Sequence, residues 1–259
     1  MFRALPPFGG DQRAVAEVVN GLMNGKSNNT GLVTLATGNA TTTTIYDSRI
    51  SADSVILLVP KSAAAYADTA PYGAFQHDAD QTASSTTTAY AMALNVTDYS
   101  NGIYISNTSR INVRNAGVYN LQFSAQFTNT NSSIHDVDIW LAKNGSTVAG
   151  TNGQVSVPNS HGGIDGHTLP AWNYIIELAA NDYVELMWAT RSTSVYIDYI
   201  GTQTSPSRPS TASLIVSMNY VAPAADTNVY VSSQTTGEAT LTHFANSTAN
   251  KTYAYVVIG

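Results

Sequence analysis

The chain has 259 residues, of which 11% are charged and 43% hydrophobic, and its formal charge is −6. Average soluble proteins hold roughly 25% charged residues, so the polar surface here must come from Thr, Ser, Asn and Gln, which with Val, Ile and Tyr suit pleated sheet better than exposed helix. The acidic balance and the lack of any Lys or Arg run argue against a nucleic-acid partner, and the absence of cysteine excludes disulfides, thiolate metal sites and thiol nucleophiles.

The lack of cysteine also fits assembly in a reducing cytoplasm. Met1 to Gly10 lacks the long apolar core of a signal peptide, and no stretch approaches the roughly 20 apolar residues that span a bilayer. The expectation is a soluble chain without membrane insertion, not exported through a signal peptide. Phe2, Leu5 and Phe8, scattered among Pro and Gly, have the composition of an arm that orders on a partner.

Asp11 to Asn24 is the one convincing helix longer than two turns. Asp11 caps it, Val15, Val18, Val19, Leu22 and Met23 share a face, and Gly25 stands where a C-terminal cap belongs. About three turns are marginal in water, so the stripe needs a surface: the rest of the chain, a symmetry mate, or a socket on a larger particle. Val15, Val18, Val19 and Leu22 are the candidate trimerisation and attachment residues.

From Gly31 the pattern turns to strands separated by Gly, Asn and Asp turns. Leu32 to Ala36, Thr42 to Tyr46 and Ser54 to Val59 read as strands, and Ser62 to Asp68 as a short helix. After the Ser/Thr tract Thr82 to Thr88, alternating strands continue to Val221. The clearest is Val118 to Thr128, with Tyr119, Leu121, Phe123, Ala125 and Phe127 on one face and Asn120, Gln122, Ser124 and Gln126 on the other, so one face is buried and one wet. Val137 to Leu141 runs into Asn144-Gly145, a pair suited to a tight hairpin turn. Trp172 to Leu178, Tyr183 to Ala189, Val195 to Ile200 and Leu214 to Val221 follow. A Pro-bearing linker, Ala222 to Ala225, precedes Asn228 to Ser232, Ala239 to Phe244 and Thr252 to Ile258.

Several polar groups are site candidates by residue type. His161, Asp165 and His167 lie in a Gly-rich loop and are metal-ligand types, but no further strong ligand stands near them. His135, Asp136 and Asp138 start a strand, and calcium wants more oxygens than they supply. Glu177, Asp182 and Glu185 are the best carboxylates for acid–base hydrolysis, yet no cleft is indicated and no nucleophile elbow appears. No metal, cofactor or catalytic residue is therefore expected, and the chain is read as not an enzyme. Trp140 alternates away from Val137, Ile139 and Leu141, which suits a subunit interface, a stacked sugar, or packing against a second sheet.

Two resemblances cover nearly the whole chain. The runs Ala89-Tyr90-Ala91-Met92, Asp98 to Gly102, Ala116 to Phe127, Asp138-Ile139-Trp140-Leu141 before Lys143-Asn144-Gly145, Ala171-Trp172-Asn173, Asp182 to Trp188 and Arg208-Pro209-Ser210 resemble the TNF-like jelly roll. This is the globular-head superfamily shared by complement and tumour-necrosis-factor proteins, in the version found in phage structural proteins. The resemblance implies a sandwich that forms a tight trimer, binds partners or glycans, and has no catalytic apparatus. Val18 to Lys26, Thr30 to Leu35, Asp47 to Ile50 and Ser54 to Pro60, with Ala239 to Phe244 and Thr252 to Gly259, resemble a small phage structural module whose two ends flank the jelly roll.

The expected architecture is all-β: a TNF-like jelly-roll sandwich inserted into a small β-sandwich or barrel, with a short N-terminal helix. Residues 1–30 form the arm and helix, 31–74 plus 223–259 a discontinuous small domain, and 75–222 the jelly roll. Three early strands are too few to close a core, so Val55, Leu57 and Val59 are expected to share one with Val256 and Ile258. The expected role is that of a bacteriophage virion-surface subunit assembled in the host cytoplasm, a homotrimeric head fibre, capsid decoration or short tail fibre. Its partners are expected to be copies of itself, other virion proteins and a host-surface glycan. The alternatives are a polysaccharide-depolymerising tailspike and a secreted glycan-binding module.

Overall fold

Asp11 opens the helix Gln12–Met23 by accepting the backbone N–H of Ala14 on Oδ1 at 2.6 Å, which satisfies one of the amides a helix start leaves unpaired. In this computed structural model the described residues are 11–24, 29–66, 70–221, 229–247 and 250–259. The arm with Phe2, Leu5 and Phe8, the cap at Gly25 and the linker Ala222 to Ala225 lie outside them. The chain divides into two compact units, Met1–Thr69 with Thr227–Gly259, and Ala70–Asp226. Among the described residues no helix is long and apolar enough to cross a membrane.

The smaller unit is built from two antiparallel three-stranded sheets, and in both a late strand holds the middle. Thr252–Ile258 lies between Thr30–Thr34 and Val55–Pro60, and Glu238–Asn246 lies between Ala40–Tyr46 and Val229–Thr235. The early strands are edges with nothing to pair with until the C-terminal segment arrives. Val33, Leu35, Ile45, Ile50, Leu241, Tyr253, Tyr255 and Val257 form the core between the sheets.

The facing of one strand differs from the sequence expectation. Val55–Pro60 does pair with Thr252–Ile258, with Val55 opposite Ile258 and Leu57 opposite Val256. However, Val55, Leu57 and Val59 are 54%, 50% and 57% exposed, while Ile56 and Leu58 pack on the core beside Tyr253, Tyr255 and Val257. The strand is apolar on both faces, so alternation alone carries no sign. The inward face is selected by the two tyrosines, which bury large rings and still find partners for their hydroxyls: Tyr253 donates to the Ala65 carbonyl at 3.3 Å and Tyr255 to Asp47 Oδ2 at 2.9 Å. Gly31 is required for this, because a Cβ there would stand 2.3 Å from the Tyr255 ring.

The larger unit is a jelly-roll-like all-β sandwich. Gly117–Ala125 pairs with Ala171–Leu178 and Leu214–Tyr220, and Tyr72–His77 joins Leu214–Tyr220 to Val96–Asn101. Residues 72–74 therefore belong to this unit through their strand. The second sheet contains His135–Lys143, Tyr183–Thr190, Arg110–Val113 and Ile103–Ser106, with Gly153–Val157 and Tyr90–Ala91 at its margins. A smaller sheet holds Gly166–Thr168, Phe127–Asn129, Val195–Ile197 and Gln81–Thr82.

The long run from Val118 to Thr128 passes between two of these sheets. It breaks at Gln126, whose N–H donates to the Ser213 carbonyl and whose carbonyl accepts from Asp198. Its alternation persists through the break: Tyr119, Leu121, Phe123, Ala125 and Phe127 are all buried in one core with Trp188, Ile139, Leu141 and Val216.

Candidate functional site

Two surfaces stand out, one on each unit. The first is the outer face of the sheet Thr30–Thr34, Thr252–Ile258 and Val55–Pro60. The register places Leu32, Ala254 and Val59 in one cross-strand row, Val256 with Leu57 in the next, and Ile258 with Val55 beyond. Leu32 is 65% exposed and Ile258 50%. The remaining outward positions on these strands, Thr30, Thr34 and Thr252, are uncharged. Such a face amounts to apolar area on the order of 500 Å², the size at which patches on monomeric proteins become interaction sites. On the same unit, the helix Gln12–Met23 exposes Val15, Val19 and Met23 and half-buries Val18; the Leu22 side chain lies outside what is described.

The second surface is built on Trp140. In His135–Lys143, Val137, Ile139 and Leu141 point into the core, so Asp136, Asp138 and Trp140 point out. Asn144 and Gly145, with φ of 50° and 80°, make the tight turn their sequence specifies and send the chain back along the strand. The returning ladder pairs only at Ala142 and Lys143, and resumes at Ile139. Between these points residues 148–152 are let out as a loop beside Trp140. Thr151 pins that loop: its hydroxyl donates to the Val148 carbonyl at 2.7 Å and accepts the Leu141 N–H at 3.1 Å, and its carbonyl accepts from the Tyr174 hydroxyl at 2.9 Å.

The result is an open depression of about 540 Å³ lined by Trp140, Asp138, Arg191, Asn152, Ala189 and the loop 147–150. Volumes of roughly 300–1,000 Å³ are those of small-molecule sites. Asp138 Oδ2 meets Arg191 Nη2 at 2.7 Å, while its Oδ1 has only long contacts, from Gln154 Nε2 at 3.3 Å and Asn152 Nδ2 at 3.5 Å. The backbone N–H of Arg191 donates to the Asp136 carbonyl at 3.2 Å and fixes where that side chain starts. Trp140 Nε1 is buried without a hydrogen-bond partner, as is His135 Nε2.

The other candidates are dispersed. His161 and Asp165 are exposed, and His167 Nδ1 bonds the Thr128 hydroxyl at 2.9 Å, which in turn donates to Asp198 Oδ2 at 3.0 Å. Burial pushes the Asp198 carboxyl above its ordinary pKa. No group of three His, Asp or Glu side chains converges as metal ligands among the described residues. Asp136 accepts from Ser156 Oγ at 2.6 Å. Glu177 is exposed, Glu185 accepts from Ser109 Oγ at 2.7 Å, and Asp182 is held by Asn144 and by Lys143 at 2.9 Å, which keep its carboxyl below the usual range. Asp136, Asp182 and Glu185 are thus each held by partners of their own. Of the named candidates only Trp140 and Asp138 come together, and Arg191 and Asn152 join them from loops that no periodicity marks. The chain matches no protein-family model and no curated protein.

Proposed function

We propose that the chain is a non-enzymatic virion-surface subunit, a head fibre, capsid decoration or short tail fibre that assembles as a homotrimer. In this reading the smaller unit and the N-terminal helix carry assembly and attachment, and the jelly-roll-like unit is displayed for adhesion to a host surface. The observation that carries it is the uncharged apolar face formed by Leu32, Val55, Leu57, Val59, Val256 and Ile258.

An oppositely charged partner has nothing to read on this face, whereas a second copy offers the same apolar surface and buries it in return. Closed cyclic symmetry ends such association at a defined number of copies. The exposed valines of the helix enlarge the surface available for burial, and the sequence resemblance supplies the virion setting and the threefold symmetry. Sedimentation or light scattering of the full chain at low micromolar concentration is the test. A trimer that survives dilution supports the reading, and a clean monomer overturns it.

A further inference from the structure

The depression at Trp140 has features that the assembly reading leaves unused. Its floor is an indole on the outer face of the sheet, opposite Met187 in the neighbouring strand and beside the small side chain of Ala189. One margin is polar and bifunctional: Asp138 accepts and Arg191 donates, 2.7 Å apart, with the Asn152 amide alongside. Val148, Ala149 and Gly150 complete the lining with small apolar surface. The loop forming it is tied down through Thr151, and Gly150 turns at a φ of 78°.

From this arrangement we infer that the depression is a binding subsite for a neutral pyranose at the end or along the chain of a glycan. A pyranose ring offers the two kinds of surface the site presents. Its C–H face lies against an aromatic plane, and adjacent equatorial hydroxyls span an acceptor and a donor held side by side. Asp138 Oδ1, whose contacts at 3.3 and 3.5 Å are long, has acceptor capacity for a hydroxyl.

The charge balance selects a neutral sugar. Arg191 is already neutralised by Asp138, so an acidic sugar or a phosphate meets a carboxylate with no spare cation beside it, and the chain as a whole is at −6. An open depression that contacts one ring holds it weakly, in the millimolar range, and copies in one assembly raise the effective affinity by multivalency. This subsite rests on the display reading above for its biological purpose, but its chemistry is independent of it.

The test uses the full chain with methyl glycosides of glucose, galactose, mannose, rhamnose and N-acetylglucosamine as probes, read by saturation-transfer NMR and by tryptophan fluorescence. Oligomeric state and melting temperature are measured on the same samples. At least one glycoside is expected to bind saturably, with affinity reduced at least tenfold in Trp140→Ala and in Asp138→Asn and retained in part in Trp140→Phe. Oligomeric state should not change, and because Trp140 and Asp138 are only partly exposed, melting temperature is read on the same samples so that loss of binding is scored only for variants that stay folded.

Absence of binding across the set overturns the subsite, as does binding that survives Trp140→Ala. A change of oligomeric state in Trp140→Ala also overturns it, because the indole would then be an inter-copy contact. A trimer that binds no glycoside removes the subsite alone, whereas a monomer that binds one keeps the subsite and removes the assembly reading.

Discussion

Asp47 ties together three segments of the smaller unit, and its removal is expected to cost more than any surface carboxylate should. Its side chain is 7% exposed and that of Arg49 31%. Asp47 Oδ1 accepts from Arg49 Nε at 2.8 Å and from the Arg49 backbone N–H at 3.0 Å, Oδ2 accepts from Arg49 Nη2 and from the Tyr255 hydroxyl at 2.9 Å, and Arg49 Nη2 also donates to the Thr30 carbonyl at 3.2 Å. The Arg49 hydrogen bonds hold the Asp47 carboxyl well below the usual carboxylate range, against an opposing effect of burial.

Breaking a buried ion pair by removing one partner costs about 3–5 kcal/mol, and partial exposure of Arg49 discounts this to about 2–3 kcal/mol for Asp47→Asn, which keeps one acceptor. At about 4–8 °C per kcal/mol for a unit of this size, the calorimetric transition of the smaller unit should fall by roughly 10–20 °C at pH 7. The pH dependence has a fixed sign. A carboxyl whose folded pKa is depressed contributes its full stability above the unfolded value near 3.9 and loses it as pH falls through that value toward the folded one. The gap between wild type and Asp47→Asn should therefore narrow by about 1 kcal/mol between pH 7 and pH 3. Equal melting at pH 7, or a gap that widens in acid, would refute the reasoning.

Leu57→Lys with Val59→Lys should leave the stability of a single chain within about 0.5 kcal/mol, because both side chains face solvent there. The same pair should weaken self-association at least about 100-fold by placing unpaired charges in an apolar contact, and unchanged sedimentation would count against that face. Gly31→Ala should drive the Tyr255 ring off its position above the backbone and lower the same calorimetric transition by an amount comparable to Asp47→Asn, measured side by side; a change under a degree would show that the ring has room to move. Replacing residues 70–226 by a short Gly/Ser linker should yield a folded small unit with dispersed amide resonances, since both of its sheets are completed by the C-terminal strands. A collapsed spectrum would show that the two flanks need the intervening unit.

Much of the fold could be read from periodicity because most strands have one wet face. From Tyr119 to Phe127 polar and apolar residues alternate, and every inward residue named from the sequence is buried. Asn144-Gly145 likewise forms its turn where its backbone preferences place it. Periodicity fails where both faces are apolar. Val55–Pro60 reads Val-Ile-Leu-Leu-Val-Pro, and what decides its facing is the partner strand, where Tyr253 and Tyr255 need buried acceptors for their hydroxyls. That information lies almost 200 positions away, in Tyr253 and Tyr255, whose hydroxyls reach back to Ala65 and Asp47 beside the strand.

The same distinction separates what was legible of the candidate site from what was not. Trp140 is marked by its own strand: an aromatic residue out of phase with a buried stripe points away from the core, and half a strand suffices to see it. The polar margin has no such local mark. Arg191 follows a strand that pairs with Trp140's own from about fifty positions downstream, and Asn152 sits in a loop whose shape depends on Thr151 bonding Leu141 and Val148. A platform is set by one segment's alternation, whereas the groups that give it chemical selectivity arrive by register and by loop anchoring. That is why the aromatic could be picked out in the sequence, and why the histidines and acid of the Gly-rich loop, suggestive by type, disperse: His167 bonds Thr128, while His161 and Asp165 face solvent.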